Sequence, residues 1–538
     1  MRWWGWGEDG EAPALAPAAR ALLADELGAR GPAGAPPRVR LAEVRLPAGA
    51  LRASQRRALM AAVGADHVLE DHVSRVAHAG GKGYADLVRL RAGDGSRAPD
   101  AIVAPGSGAE VATVLAACAA EGIAVVPFGG GTSVVGGVDA LRGAHAAVIA
   151  LDLARLDRVL DLDRRSLTAT VEAGMLGPHL ERLLGTAGLT LGHFPQSFHY
   201  SSVGGWIATR SAGQASAGYG RIEDLVEALR FEAPAGALAT RAVPASAAGP
   251  ALRELLVGSE GTLGVVTAAT LRVRVAPGAH RYAGWLFRSF EEGREVLRRF
   301  AQADAAPDLA RLSDAEETRL TLALTATGGR VERVVRRYLR ARAGAAPCLA
   351  ITGIEGTPDD VARRRSALAE AMRAAGAVAL GEGAGRRWLA GRFAAPYLRD
   401  ELLDRGVLVE TFETAAGWEA LDGLYHAVRD ALTGALAGRG TVTCHVSHLY
   451  RSGASLYFTV LAPVAAGSEL ERWAALKRAA LHAILAGGGT ITHHHGVGRD
   501  HSPWLAEEIG GLGVEVLRAA KQRLDPAAIM NPGKLLPG

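Results

Sequence analysis

Pro127-Phe128-Gly129-Gly130-Gly131-Thr132-Ser133 follows a short apolar run, Ile123 to Val126. Three adjacent glycines remove every Cβ from one bend, so the backbone can take positive φ and press against a ligand. Successive N–H groups in such a bend form a concave nest for anions, and a pyrophosphate fits it. A Rossmann turn is the rival reading, and the residues argue against it. Gly129 and Gly131 supply its first two glycines, but the third position is Val134. A Rossmann turn also opens a helix, and Val134-Val135-Gly136-Gly137 is a poor helix start. A Gly-rich surface loop without a ligand is the bland alternative.

A second cluster, His493-His494-His495-Gly496-Val497-Gly498, follows a stretch that reads as a strand, Gly488 to Thr492. Strand alternation places His493 and His495 on one face and His494 on the other. Three readings stand. His493 and His495 could start a metal site, which no nearby Cys or acidic pair completes. The run could be structural or solvent-exposed. Or it lines an active site, where two glycines let the loop approach a ligand and histidines bind phosphate or carry protons near neutral pH.

These clusters need elements to hold them. Ser107-x-x-Glu110 reads as a capping box opening a helix through Ala120, with Gly122 just past its end. The apolar strand and the glycine loop follow it. Val148 to Leu153, Arg158 to Leu162 and Leu167 to Glu172 read as strands, Leu180 to Leu184 as helix, and Leu271 to Val275 closes the block. Beyond about residue 279, helical stretches such as Glu291 to Ala301 and Asp360 to Ala374 alternate with strands such as Leu456 to Leu461. A helix is expected near Val514 to Arg523. The lead segment mixes helical pieces with a loop at Gly31 to Pro37. The expected division is 1–95, 96–278, 279–485 and 486–538.

The chain has 538 residues, too many for one ordinary core, with 49% hydrophobic and 22% charged residues and a net charge of +4. No dense basic run with interleaved aromatics appears, which argues against nucleic acid. Cys118, Cys348 and Cys444 are widely spaced, so a disulfide framework is not expected and a reducing compartment fits. No signal core and no long apolar window is present, which makes the cytoplasm the default expectation. Trp3, Trp4 and Trp6 are expected to pack on the body of the protein rather than enter a membrane interface.

The glycine loop resembles the diphosphate loop of FAD-binding enzymes of the PCMH-type (vanillyl-alcohol oxidase) superfamily. Further matches follow in the superfamily's order: Gln196-Ser197-Phe198-His199-Tyr200-Ser201-Ser202-Val203-Gly204-Gly205, then Glu260-Gly261-Thr262-Leu263-Gly264-Val265-Val266, and Asn531-Pro532-Gly533-Lys534 near the end. Within the superfamily, the chain is similar to the alkyldihydroxyacetonephosphate synthase family over nearly its full length. Trp4-Gly5-Trp6-Gly7, Lys82 to Arg91, Gly204 to Arg210, Pro396 to Asp400, Phe412-Glu413-Thr414, Leu456-Tyr457-Phe458 and the triple histidine carry that likeness.

The resemblance implies an α+β protein: a two-subdomain FAD-binding domain, an α+β cap, a helical N-terminal region and a tail returning to the FAD domain. It implies one FAD per chain, bound by residues 127–133, 196–202, Thr209, Arg210, Ser211, Ala212 and 260–266. Covalent members place the linking histidine in the glycine loop; none lies between Pro127 and Gly137, so non-covalent FAD is expected. Tyr457 is implied as the proton-transfer group, with His493, His494 and His495 beside it. Arg399 and Arg311 are implied to bind substrate.

The implied reaction is redox-neutral. A proton leaves C1 of acyl-dihydroxyacetone phosphate, C1 bonds to flavin N5, fatty acid departs and fatty alcohol attacks. Hydride abstraction from a 2-hydroxy acid is the alternative for the same fold, and a non-catalytic flavin protein a lesser one. His445 departs from the animal enzymes, which carry arginine there. Small-molecule or lipid substrates are implied; peripheral membrane contact and a dimer are left open.

Overall fold

The computed structural model describes residues 1–10, 21, 38–324, 339 and 341–537. The expected loop at Gly31 to Pro37 lies outside them. Strands β1 (Val68–Leu69), β2 (Ala101–Val103), β3 (Ile123–Phe128) and β4 (Ala147–Asp152) form a sheet in the order β1-β2-β4-β3. β2 and β3 both run parallel to β4, so the chain needs a crossover, and helix Gly108–Glu121 supplies it. Ser107 accepts the N–H of Glu110 at 3.2 Å, and Gly122 ends the helix at φ +65°. Half of the expected capping box forms, because the Glu110 carboxylate takes the N–H of Gly106 instead. Ile123 to Val126 are fully buried, which is why β3 reads as an unbroken apolar run.

Along the chain come β5 (Val159–Asp163), β6 (Thr168–Glu172), β7 (Leu189–Thr190), β8 (Val226–Ala233), β9 (Gly236–Ala239), β10 (Val265–Arg272) and β11 (Arg274–Val275). A five-stranded sheet has the order β5-β6-β10-β8-β9, and β11 leaves it to pair with β7. The expected strand at Leu271 to Val275 thus changes partner at Val273. One apolar core joins these sheets through the 108–121 helix. The C-terminal tail adds to the free edge of β3: Val125 donates to Ile529 and accepts from the N–H of Asn531, each at 2.8 Å. An otherwise open edge is covered in this way.

The third sheet holds β12 (Ala279–Phe287), β13 (Leu309–Ser313), β14 (Cys348–Gly356), β15 (Val378–Gly381), β16 (Val407–Gly417), β17 (Thr441–Leu449) and β18 (Gly453–Pro463), in the antiparallel order β15-β12-β14-β13-β17-β18-β16. Along β18, Leu456, Phe458 and Val460 are fully buried in a core shared with helices Leu421–Leu436 and Glu469–Ala486. Tyr457 therefore points to the opposite face.

No strand forms at Gly488 to Thr492. Gly488 sits at φ +72°, Thr490 donates to the Ala415 carbonyl and Ile491 to the Glu508 carboxylate, so no ladder can extend. The early tryptophans pack on the protein. Trp6 is buried edge-on to Tyr200, and the Arg38 guanidinium lies 3.5 Å over the Trp4 ring. All three cysteines are buried and unpaired. Among the described residues, no helix is long and apolar enough to cross a membrane.

Candidate active site

Register sets the first row of site residues. Tyr457 on β18 lies opposite Glu413 on β16 and opposite His445 on β17. Opposite residues in antiparallel strands share a face, so three polar side chains line up across the sheet. Ser313 pairs with His445, which puts Arg311, two residues earlier, on that face too. The rings of His445 and Tyr457 stack at 4.9 Å and 23°. His445 Nδ1 meets one oxygen of Glu317 at 3.1 Å, and Arg311 donates to the other. Burial works to raise the Glu317 carboxyl, but Arg311 and His445 outweigh it and hold it at about 2. Burial and Arg311 depress His445 against the pull of Glu317. Burial lifts the Tyr457 phenol to about 12, with a side-chain hydrogen bond to Thr411 pulling the other way. Near neutral pH, Tyr457 is a proton donor.

The histidine loop hangs on Glu413. That carboxylate, 3% exposed, accepts the N–H groups of His493, His494 and His495 and the hydroxyl of Thr492. Strand alternation is therefore not what orients the triplet; a common anchor holds the three backbone N–H groups, and the rings of His494 and His495 lie beside Tyr457 while that of His493 lies against Tyr450 and His448. The Tyr457 ring lies 6.0 Å from His494 and 5.7 Å from His495. Burial pushes His495 down to about 3 against the attraction of Glu413, and pushes His493 well below its usual value. Both rings are neutral near pH 7. Burial tends to raise Glu413 too, but the imidazoles and donors around it hold it well below the usual carboxylate range.

Sequence reading missed Glu413, Glu317, Tyr450 and His448 as site residues. The signal for Glu413 was a carboxylate inside an apolar strand, which is rarely buried without partners. His448 had none. From Val446 to Leu449, β17 uses three steps where β18 uses two, Leu456 to Ala454. Ser447 and His448 both oppose Ser455 across this bulge. The extra residue turns His448 to the site, where its ring stacks on His493 at 4.9 Å.

The histidine loop is fastened to the 260–266 segment, which lies against the glycine loop. Glu260, at φ +50°, accepts the N–H of Val497 and of Gly498, each at 2.7 Å. Burial lifts its carboxyl to about 7 against those two donors. Its side chain thus serves the loop's position. Asn531 ties the same corner, donating to the carbonyls of Glu260 and Gly137. The expected cofactor segments converge here. A Cβ on Gly129 would strike Ser202, one on Gly130 the Tyr200 carbonyl, and one on Gly261 the Pro127 ring. Only Gly131 of the triplet has positive φ, +64°. The first two glycines are needed for close approach of residues 200–202, not for φ.

Other expected cofactor residues are held as structure. Ser202 caps helix Val203–Ala208, Ser201 accepts from the Trp206 indole at 2.6 Å, and Ser211 meets His193 at 3.2 Å. Arg210, at φ +52°, donates to the Val257 and Glu254 carbonyls.

A model of the FAD binding domain matches residues 99–240, and one of the C-terminal domain of FAD linked oxidases matches residues 276–535. The chain is 34% identical over 482 residues to an alkyldihydroxyacetonephosphate synthase of Dictyostelium discoideum, covering 88% of this chain and 79% of that one. It is 35% identical over 483 residues to that of Trypanosoma brucei brucei, with the same coverage. The chain belongs to the alkyldihydroxyacetonephosphate synthase family. A solved alkyldihydroxyacetonephosphate synthase superposes with a TM-score of 0.86 at 28% identity, over 99% of this chain and 98% of the other.

This family member is an FAD-binding enzyme of PCMH-type fold, and FAD is its cofactor. Its residues fit that group. Among the described residues, no protein acceptor meets the N–H groups of Gly130, Gly131 or Thr132, which leaves them for a diphosphate. Ser133 Oγ takes the N–H of Gly137 at 3.0 Å and closes the bend.

The two expected substrate arginines part company. Arg311 is brought to Tyr457 through Glu317 and His445. Arg399 is not: it donates to the Lys82 carbonyl and to Asp400, and Lys82 in turn donates to Ser133 at the end of the glycine loop. Its Nε is buried without a partner. Among the described residues, no hydrogen bond or ring contact joins Arg399 to the histidines or to Tyr457.

Glu413→Gln is expected to lower stability near neutral pH by about 3 kcal/mol, because one acceptor oxygen and an amide then face four donors. The native carboxylate titrates below its unfolded value of about 4.3, so its contribution is present above that pH and lost as pH falls through the folded value. Thermal midpoints of the two proteins should differ near neutrality, begin to approach each other below about pH 4 and meet only as pH falls through the folded value. Equal midpoints near neutrality would show that Glu413 is not the anchor.

Proposed function

We propose that this enzyme replaces the acyl chain of acyl-dihydroxyacetone phosphate with a fatty alcohol. The reading rests on one observation above all, the Glu413–Tyr457–His445 row beneath the histidine loop in a chain of this family. The C1–O bond to the acyl group breaks, a C1–O bond to the alcohol forms, and the alcohol's proton leaves with the fatty acid. Bound FAD supplies an electron-accepting ring that is oxidised before and after the exchange. Tyr457 is the proton-transfer group of this reading, and His493 and His495, neutral near pH 7, share the C1 proton with it until that proton returns to C1. Arg311, oriented by Glu317, offers a guanidinium to an anionic group of the substrate. Arg399 serves the Lys82–Ser133 end of the glycine loop.

In this reading residues 96–278 hold FAD, 279–485 form the cap, 486–538 return to the FAD domain and 1–95 are an N-terminal region. FAD is held without a covalent bond, and acid precipitation should release the yellow colour to the supernatant.

The deciding experiment mixes anaerobic enzyme with acyl-dihydroxyacetone phosphate and fatty alcohol, and separately with D-lactate, glycolate and longer 2-hydroxy acids. Alkyl product formed without an electron acceptor is expected. Absence of that product, with full flavin bleaching by a hydroxy acid, would replace the synthase reading with a dehydrogenase or oxidase.

A further inference from the structure

His448, His493 and His494 each offer a ring nitrogen within 4.8 Å of the others, and His448 and His493 are buried. Two hydroxyls sort their nitrogens. Ser216 Oγ lies 2.7 Å from His448 Nδ1, and Tyr450 OH lies 2.6 Å from His493 Nε2. If each hydroxyl accepts the ring N–H, the opposite nitrogen of each ring carries its lone pair. Hydrogen bonds of this kind orient metal-ligating histidines. His493 Nδ1 and His494 Nδ1 stand 2.9 Å apart. Two lone pairs cannot face each other at that distance, so a hydrogen sits between them, and a cation can take its place. The Glu413 carboxylate, 3.4 Å from His494 Nδ1, supplies negative charge beside the cluster. Arg221 faces it with positive charge, offset by Glu223 at 3.1 Å, and His495 lies alongside.

We propose that His448, His493 and His494 form a site for one borderline divalent cation, Zn²⁺ or Cu²⁺, whose binding inhibits the enzyme. Three imidazoles suit these ions and not Mg²⁺ or Ca²⁺, which want oxygen ligands. Zn–N bonds of about 2.0–2.1 Å place tetrahedral ligands roughly 3.4 Å apart, so the His493–His494 pair needs to open by about 0.5 Å and the other distances to close by about 1.4 Å at most. A bound ion would hold His493 away from proton transfer, and that consequence alone rests on the function proposed above.

The test is binding, which does not depend on the substrate. FAD-loaded enzyme is titrated calorimetrically with Zn²⁺. One ion per chain is expected, with Mg²⁺ silent, and His448→Gln should weaken binding at least 100-fold. Cu²⁺ added to wild type should give an electron paramagnetic resonance spectrum with three nitrogen couplings, which decides the matter if the variant fails to fold. No stoichiometric Zn²⁺ binding, unchanged affinity in His448→Gln, or fewer than three nitrogens would overturn the site. Binding without loss of turnover would leave the site standing and remove its inhibitory role.

Discussion

Gly130→Val should leave a folded protein that holds no flavin. Gly130 does not sit at positive φ, so backbone strain is not the cause. A Cβ there would overlap the carbonyl oxygen of Tyr200 and press on Ser201 Cα, both backbone atoms that cannot rotate away. Valine adds two more carbons at the same place. The glycine loop and residues 200–202 must then separate, which opens the nest formed by the N–H groups of Gly130, Gly131 and Thr132. Loss of three aligned donors to a diphosphate corresponds to at least about 3 kcal/mol, or more than 100-fold in affinity. The flavin-to-protein absorbance ratio reads this directly, and circular dichroism checks that the sheets survive. Normal flavin content at normal affinity would mean that the diphosphate lies elsewhere.

Tyr457→Phe is expected to keep FAD and lose turnover about 100-fold or more. The substitution removes one oxygen and leaves the ring that stacks on His445 and abuts His494 and His495. Stability should change by only about 1 kcal/mol, the worth of one hydrogen bond. A fall in kcat at normal flavin content would separate proton transfer from packing. Unchanged turnover would assign Tyr457 to the wall of the site alone.

Local chemistry made much of this protein legible. The capped helix at 108–121, the buried run of β3 and the alternation of β18 each follow from neighbours in sequence. Capping, burial and strand period act over a few residues. The glycine loop was legible for the same reason, although the role of each glycine was not. Only Gly131 uses its freedom of φ; Gly129 and Gly130 matter because a segment some 70 residues away lies against them.

What sequence could not settle depends on long-range register. Tyr457, Glu413 and His445 become one row only because β18 pairs with both β16 and β17 in that alignment. A slip of one residue would turn Tyr457 into the core. His448 joins the site through a single extra residue in β17, a bulge that the spacing of side chains does not announce. The histidine triplet looked like the end of a strand, but its N–H groups are taken by a carboxylate from another element rather than by a neighbouring strand. Arg399, implied to bind substrate, is held by Lys82 and Asp400 beside the glycine loop. By itself the sequence determined the types of side chain, the glycine loop and most elements. The tertiary structure alone decided which distant side chains meet, because strand pairing and buried hydrogen bonds join residues that no local rule connects.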